Sequence, residues 1–217
     1  MKFDKLFLIK LSPDEIIHAS AEAYRDWYQV PDGRRWSNRD EAGWGRLADD
    51  CVRDGGDVPT KRDKLMVIAH GTKTFVGEGA CMKREDDPAG DFKLDPDDLA
   101  RAFMRWGIDQ IGLVSFKCCS IGAGSFLKAF VRGAEHYGLD VGWVKGYTAS
   151  TRTVRKFPYV GKPYELVNKP DTLFGHDEIL GIKVHSPIFG DDRIRILQGN
   201  RPMTIPDSRY LLDADDL

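Results

Sequence analysis

Cysteine is scarce in this chain, and its few copies are not spaced for metal or disulfide work. Cys51, Cys81, Cys118 and Cys119 are all there are, and no two stand in the CxxC spacing of a zinc site. Two are adjacent, which is poor geometry for a disulfide framework, so reduced thiols are expected. Charge of one sign is equally lacking. The formal net charge is -2, without the basic field that nucleic-acid binding needs. No apolar run approaches the length of a membrane span. The opening "MKFDKLFLIKLSPDE" is interrupted by Lys10 and has no small-residue cleavage site, so it reads as strand and helix rather than signal peptide. Internal repeats and low-complexity segments are absent too. These absences argue against a nucleic-acid or membrane partner. They leave two compartments open, the cytoplasm or export into a target cell without a classical signal peptide.

What is present is an alternation of apolar strands and amphipathic helices. Residues 3–11, "FDKLFLIKL", form a strand, and "SPDE" starts a helix with Ser12 as cap, Pro13 in the first turn and Glu15 three residues after the cap. Ile16, Ile17, Ala19, Ala23 and Trp27 follow at helical spacing. Residues 29–60 carry Trp36 and Trp44 without a clear period and read as a short hairpin or a long loop. The two tryptophans read as packing onto the body of the domain, with a partner surface as the other use for them. "KLMVIA", Lys64 to Ala69, is a buried strand running into His70 and Gly71.

The acidic stretch "REDDPAGDFKLDPDD" lacks the ligand spacing of a calcium loop, so a solvated loop and no metal site are expected there. Its end caps a helix, with Asp95 at the N-cap, Pro96 in the first turn and Leu99, Ala102, Phe103 and Trp106 on the apolar face. "IGLVSFK", Ile111 to Lys117, is another buried strand. A helix starting near Ser120 or Gly122 follows and stops at Gly138, and Asp140 to Tyr147 is the next strand. This order predicts an α/β fold with a mostly parallel sheet flanked by helices on both faces. From Ser150 onward, short pieces such as "EILGIKVH" and "RIRILQG" predict C-terminal β-hairpins. The expected organisation is a single domain over residues 1–217, with a core over 1–150 and a β-rich region over 151–217.

Chemistry belongs at the strand ends of such a sheet. In "SFKCCSIGAG", Ser115 to Gly124, three nucleophiles stand in a row: Cys118, Cys119 and Ser120. A thiol needs a base, because free cysteine is mostly protonated at neutral pH. His70 ends another strand, 49 residues before Cys119.

These two motifs, "LMVIAHG" and "IGLVSFKCCSIGAG", resemble the caspase-like (clan CD) cysteine peptidases, whose histidine stands roughly 50 residues upstream of the cysteine. In layout, over roughly residues 3–155, the chain is most similar to the self-processing protease domains of large bacterial toxins. The resemblance implies a cysteine endopeptidase with a protein or peptide substrate. Cys119 matches the nucleophile, His70 the general acid/base, and the Gly71 and Cys119 amides the oxyanion hole. Cys118 falls where a small residue is usual. No third orienting residue is evident, which suits a dyad. Lys117 occupies a position that lines the primary specificity pocket in relatives; it either favours an acidic P1 side chain or reaches solvent. Thr148, Ala149 and Ser150 match the pocket wall. The basic segment with Lys145, Arg152, Arg155, Lys156 and Lys162 matches a region that leads into a flap binding inositol hexakisphosphate. A polyanion activator is therefore conceivable, and no cofactor is required.

Two other readings stay open. "CCSIG" has the small-x-Ser-x-small form of a hydrolase nucleophile elbow at Ser120, with His176 or His185 as base and Asp171 or Asp177 as orienter. Only the tail after Ser120 is then left to supply both, and it reads as hairpins. The third reading is an inactive caspase-like binding module. His18 and His136 fall within helical patterns as surface or packing residues, and Cys51 and Cys81 are spectators.

Overall fold

Buried strands of consecutive apolar residues need cover on both sides, and among the described residues three α-helices provide it. The computed structural model describes residues 3–12, 14–39, 43–46, 57–77, 93–148, 151–154, 167–170 and 194–201. The elements run β1 (Leu6–Lys10), α1 (Glu15–Tyr28), a single 3-10 turn (Asp32–Arg34), β2 (Arg35–Ser37), β3 (Gly45–Arg46), β4 (Lys64–Ile68), β5 (His70–Gly71), β6 (Val76–Gly77), β7 (Lys93–Leu94), α2 (Pro96–Arg105), β8 (Gln110–Lys117), α3 (Phe126–Tyr137), β9 (Asp140–Tyr147), β10 (Thr151–Val154), β11 (Val167–Pro170) and β12 (Ile194–Gln198).

A seven-stranded sheet in the order β12-β9-β8-β4-β1-β2-β3 forms the centre. All its pairings are parallel except that of β12 with β9, which closes one edge antiparallel. The predicted mostly parallel α/β sheet is thus present. Strand alternation divides its residues between two cores. Phe7, Ile9, Leu65, Val67 and Phe116 face Leu99 and Phe103 of α2 and Phe126 and Phe130 of α3. Leu8, Met66 and Ile68 face Ile17, Ala21 and Tyr24 of α1. The first core is held by edge-on aromatic contacts: Phe116 to Phe126 at 5.5 Å, Phe116 to Phe130 at 5.4 Å and Phe103 to Phe130 at 5.8 Å between ring centroids. Each such pair adds about 0.5–1.5 kcal/mol beyond its area burial.

Several boundaries differ from the sequence expectation. The N-cap of α1 is Asp14, whose side chain accepts from the Ile16 and Ile17 amides, and Ser12 instead donates its hydroxyl to Asp14. A carboxylate reaches the amides and also suits the positive end of the helix. Within residues 29–60, β2 and β3 extend the sheet in parallel rather than forming a hairpin. Trp36 stacks on Phe7 at 5.3 Å, and the Trp44 indole donates to Glu22 at 2.8 Å, so both tryptophans pack inward. The helix expected near Ser120 begins at Phe126, because residues 118–125 form successive turns. Of the C-terminal pieces, β10 and β11 pair antiparallel as a separate two-stranded sheet. "RIRILQG" supplies β12, which joins the main sheet instead of a hairpin, and "EILGIKVH" lies outside the described residues. Among the described residues, no helix is long and apolar enough to cross a membrane.

Candidate active site

The site begins with the register of β4 against β8. Ile68 is the parallel register partner of Lys117, so His70 and Cys119 each lie two residues past the same rung, at the carboxyl ends of two neighbouring central strands. Immediately after β4 the chain turns out of the main sheet. His70 and Gly71 pair antiparallel with Gly77 and Val76, and the hairpin is closed by the Thr72 amide donating to the Phe75 carbonyl at 3.0 Å. The Thr72 hydroxyl accepts from the Thr74 and Phe75 amides, both at 3.2 Å. A small stapled hairpin therefore presents the histidine.

Gly71 packs directly on the cysteine pair. A Cβ on it would lie 2.7 Å from the Cys118 Cβ, 2.8 Å from the Cys119 carbonyl oxygen and 3.2 Å from the Cys119 nitrogen. Only a residue without a side chain lets the two strand ends meet this closely. The adjacent thiols have opposite environments. Cys118 is 1 % exposed and its Sγ lies 3.5 Å from the Val67 carbonyl oxygen. Burial pushes its thiol far up, the neighbouring Cys119 adds to the rise, and a backbone hydrogen bond at Ala69 offsets a little. Cys118 is thus an inert, protonated thiol, whereas Cys119 is partly exposed.

Beyond Cys119 the chain turns sharply. Ser120 has φ +54°, in the left-handed region, and its carbonyl accepts from the Ala123 amide at 3.0 Å. The Gly122 amide donates to the Tyr147 carbonyl at 2.6 Å, and the Arg195 guanidinium donates to the Gly124 carbonyl at 3.1 Å. The turns after the cysteine are therefore tied to both β9 and β12.

The structure adds a residue that the sequence reading missed. Asp14 Oδ2 lies 2.8 Å from His70 Nε2. Burial alone would raise the Asp14 carboxyl. Hydrogen bonds from His70, Ser12 and the Ile17 amide, with the charge of His70, outweigh it and hold the group well below the usual carboxylate range. A carboxylate thus stands against His70, where no third residue was evident in the sequence. One signal could have found Asp14: β1 is the sheet neighbour of β4, so an acid just after β1 opens on the edge where His70 stands.

Lys117 neither reaches solvent nor lies open. It is 6 % exposed, donates from Nζ to the Tyr147 hydroxyl at 2.8 Å, and sits 5.2 Å from the ring centres of both Tyr24 and Tyr147. A second strand-end lysine, Lys10, is fully buried against Trp44, with Nζ 2.9 Å from His18 Nδ1. Burial lowers its amine to about 8, although Glu22 and Asp14 pull it back up. Lys145, assigned to the basic segment, is fully buried in β9. Thr148 is partly buried just past β9. His136 meets Tyr137 edge-on at 4.8 Å. Ala149, Ser150, Arg155, Lys156, Lys162, Asp171, His176, Asp177, His185, Cys51 and Cys81 lie outside the described residues. Among the described residues, no group of three or more His, Cys, Asp or Glu could hold a metal ion.

No family model and no curated protein matches the chain. Among solved structures, it is similar to a secreted C11 cysteine protease from Bacteroides thetaiotaomicron in complex with an irreversible peptide inhibitor, at 11% identity and a TM-score of 0.38. The match covers 67% of this chain and 49% of that one, so the chain spans about half the length of the structure it matches.

Proposed function

We propose that the chain is a cysteine peptidase in which Cys119 is the nucleophile and His70 the general acid/base. The observation that carries this reading is the meeting of two strand ends. His70 and Cys119 stand in step at one sheet edge, with Gly71 packed on the Cys119 backbone. The contrast between the thiols supports the choice of Cys119 over Cys118, since only a partly exposed sulfur can meet a substrate.

The Cys119 thiolate attacks the peptide carbonyl, and the carbon–oxygen π electrons become an oxyanion. The Gly71 and Cys119 amides are the donors assigned to that oxyanion, and a preorganised donor contributes about 3–4 kcal/mol. Collapse of the tetrahedral intermediate breaks the carbon–nitrogen bond. His70 gives a proton to the leaving amine, and a thioester remains on Cys119. His70 then takes a proton from water as the water attacks, and the acid product leaves with the thiolate restored. Thr148, Ala149 and Ser150 stay the candidates for substrate contact in this scheme, whereas the Lys117 ammonium is buried on the Tyr147 hydroxyl. A protein or peptide is the partner it implies, and a toxin-type self-processing setting rests on the order of the sequence motifs.

A hydrolase with Ser120 as nucleophile has one observation in its favour, the positive φ of Ser120, because an elbow serine sits on a strained turn. Against it, the elbow needs a helix directly after the serine, and α3 starts only at Phe126. Digestion of fluorescein-labelled casein by single variants separates the two. Cys119→Ala and His70→Ala abolish cleavage while Ser120→Ala retains it if the cysteine reading holds. Loss with Ser120→Ala alone sinks it.

A further inference from the structure

Residues 118–125 carry the candidate nucleophile and one of the two amides assigned to the oxyanion, yet they are turns rather than helix or strand. Their place must come from what they are tied to. Toward β9, the Gly122 amide donates to the Tyr147 carbonyl at 2.6 Å, and a Cβ on Gly122 would stand 2.5 Å from the Gly146 carbonyl oxygen. Toward the hairpin that begins at His70, Gly124 packs on Lys73, whose carbonyl oxygen would lie 2.7 Å from a Cβ there. Toward β12, the Gly124 carbonyl accepts from Arg195 Nη1 at 3.1 Å.

The first two ties join backbone to backbone. The third is a charged side chain reaching in from a strand 71 positions away in the chain. Arg195 is the β12 partner of Gly146, and residues directly opposed across an antiparallel pair share a face. Its side chain therefore starts on the face where Ile121 sits against Gly146. The guanidinium–carbonyl bond is charge-assisted. The field of α3 does not account for it, because the positive end of that helix, at Phe126, disfavours a cation. Gly124 is thus the point where one side chain steadies the turn of Cys119 on one side and the hairpin of His70 on the other.

We propose that Arg195 is a positioning residue of the reaction: by holding the Gly124 carbonyl it keeps the Cys119 turn seated between β9 and the His70 hairpin. This rests on the peptidase reading of the same site. It makes the C-terminal edge strand a working part of that site rather than a border of the sheet.

Two variants separate positioning from mere support of β12. In Arg195→Met the aliphatic length remains and the donors are lost. In Arg195→Ala the volume is vacated as well. Three readouts are taken on the full chain: the rate at which iodoacetamide alkylates Cys119, followed by mass on its own peptide; kcat and KM for casein cleavage; and the response of both to free guanidinium, far below concentrations that unfold the protein. Thermal melts and amide hydrogen exchange over residues 194–198 verify that each variant folds with β12 docked. The expected result is a fall of about 10–100-fold in kcat and in alkylation, with KM close to the parent value, because a slightly displaced sulfur loses its base. Free guanidinium returns part of the loss in Arg195→Ala and leaves the unaltered protein as it was. Parental alkylation and kcat in a folded Arg195→Met variant overturn the proposal. So does a loss that comes only with faster exchange of β12 and that guanidinium does not restore, since Arg195 then serves the strand alone. Failure of the peptidase reading looks different. Casein is then untouched by the unaltered protein, while alkylation and its rescue still decide whether Arg195 positions Cys119.

Discussion

Gly71 and Cys118 touch backbone to side chain with no space between them, since a Cβ on Gly71 would lie 2.7 Å from the Cys118 Cβ. The other obstacle, the Cys119 carbonyl oxygen at 2.8 Å, is backbone and cannot swing aside. Gly71→Ala should therefore push the two strand ends apart. The expected outcome is a loss of about 1–3 kcal/mol in urea unfolding together with slowed alkylation of Cys119. Gly33→Ala, where a Cβ would meet nothing within 4 Å, should change neither.

Ser120 holds a positive φ that a glycine adopts without strain. Ser120→Gly should keep or raise stability by up to about 1 kcal/mol while casein cleavage stays at the parent rate. Thermal melting and cleavage measured on one preparation check both halves. Complete loss of cleavage would support the serine nucleophile instead.

Phe130 lies edge-on to both Phe103 and Phe116, joining α2 and α3 to the strand that ends at the cysteines. Phe130→Ala should cost about 3–5 kcal/mol, read as a lower urea midpoint. Phe130→Leu should retain most of that stability, since much of the volume is kept.

Stability should have a maximum on the alkaline side. Burial lowers the Lys10 amine from 10.5 to about 8 in the fold. Between these values the unfolded chain binds the extra proton, so stability rises as pH climbs past 8. Cys118 acts in the opposite sense. Its thiol is raised from 9.0 in the fold, so its stabilising contribution is complete below 9 and is lost progressively above it. Urea midpoints taken from pH 7 to 10.5 should rise and then flatten or fall. Lys10→Met should remove the rise, and Cys118→Ala the decline.

Much of this fold was legible because parallel strands buried on both faces must be continuous apolar runs, as "KLMVIA" and "IGLVSFK" are. The capped start of α2 at Asp95 was legible as well, being local chemistry. His70 and Cys119 could be picked out because each directly ends such a strand. Asp14 could not be. Its partner is 56 positions away in the chain, and the neighbouring Ser12-Pro13 pair offered a complete local account of the helix start. The strands β2 and β3, at three and two residues, are too short to show any period. The direction of Lys117 depended on Tyr24 and Tyr147, which come from a different helix and strand.

The edge pairing of β12 with β9 sets how the chain would respond to being cut. Ile194 and Tyr147 are partners in that ladder, so β9 ends and β12 begins at the same rung. Asn200 fastens the far end, accepting from the Val141 amide and donating to the Leu139 carbonyl, both at 2.9 Å. A single peptide-bond break between β9 and β12 would give two fragments, with the smaller one contributing an edge strand to the larger. The pair should co-migrate under native conditions and separate only in denaturant, with Arg195 still anchored at Gly124 beside the site.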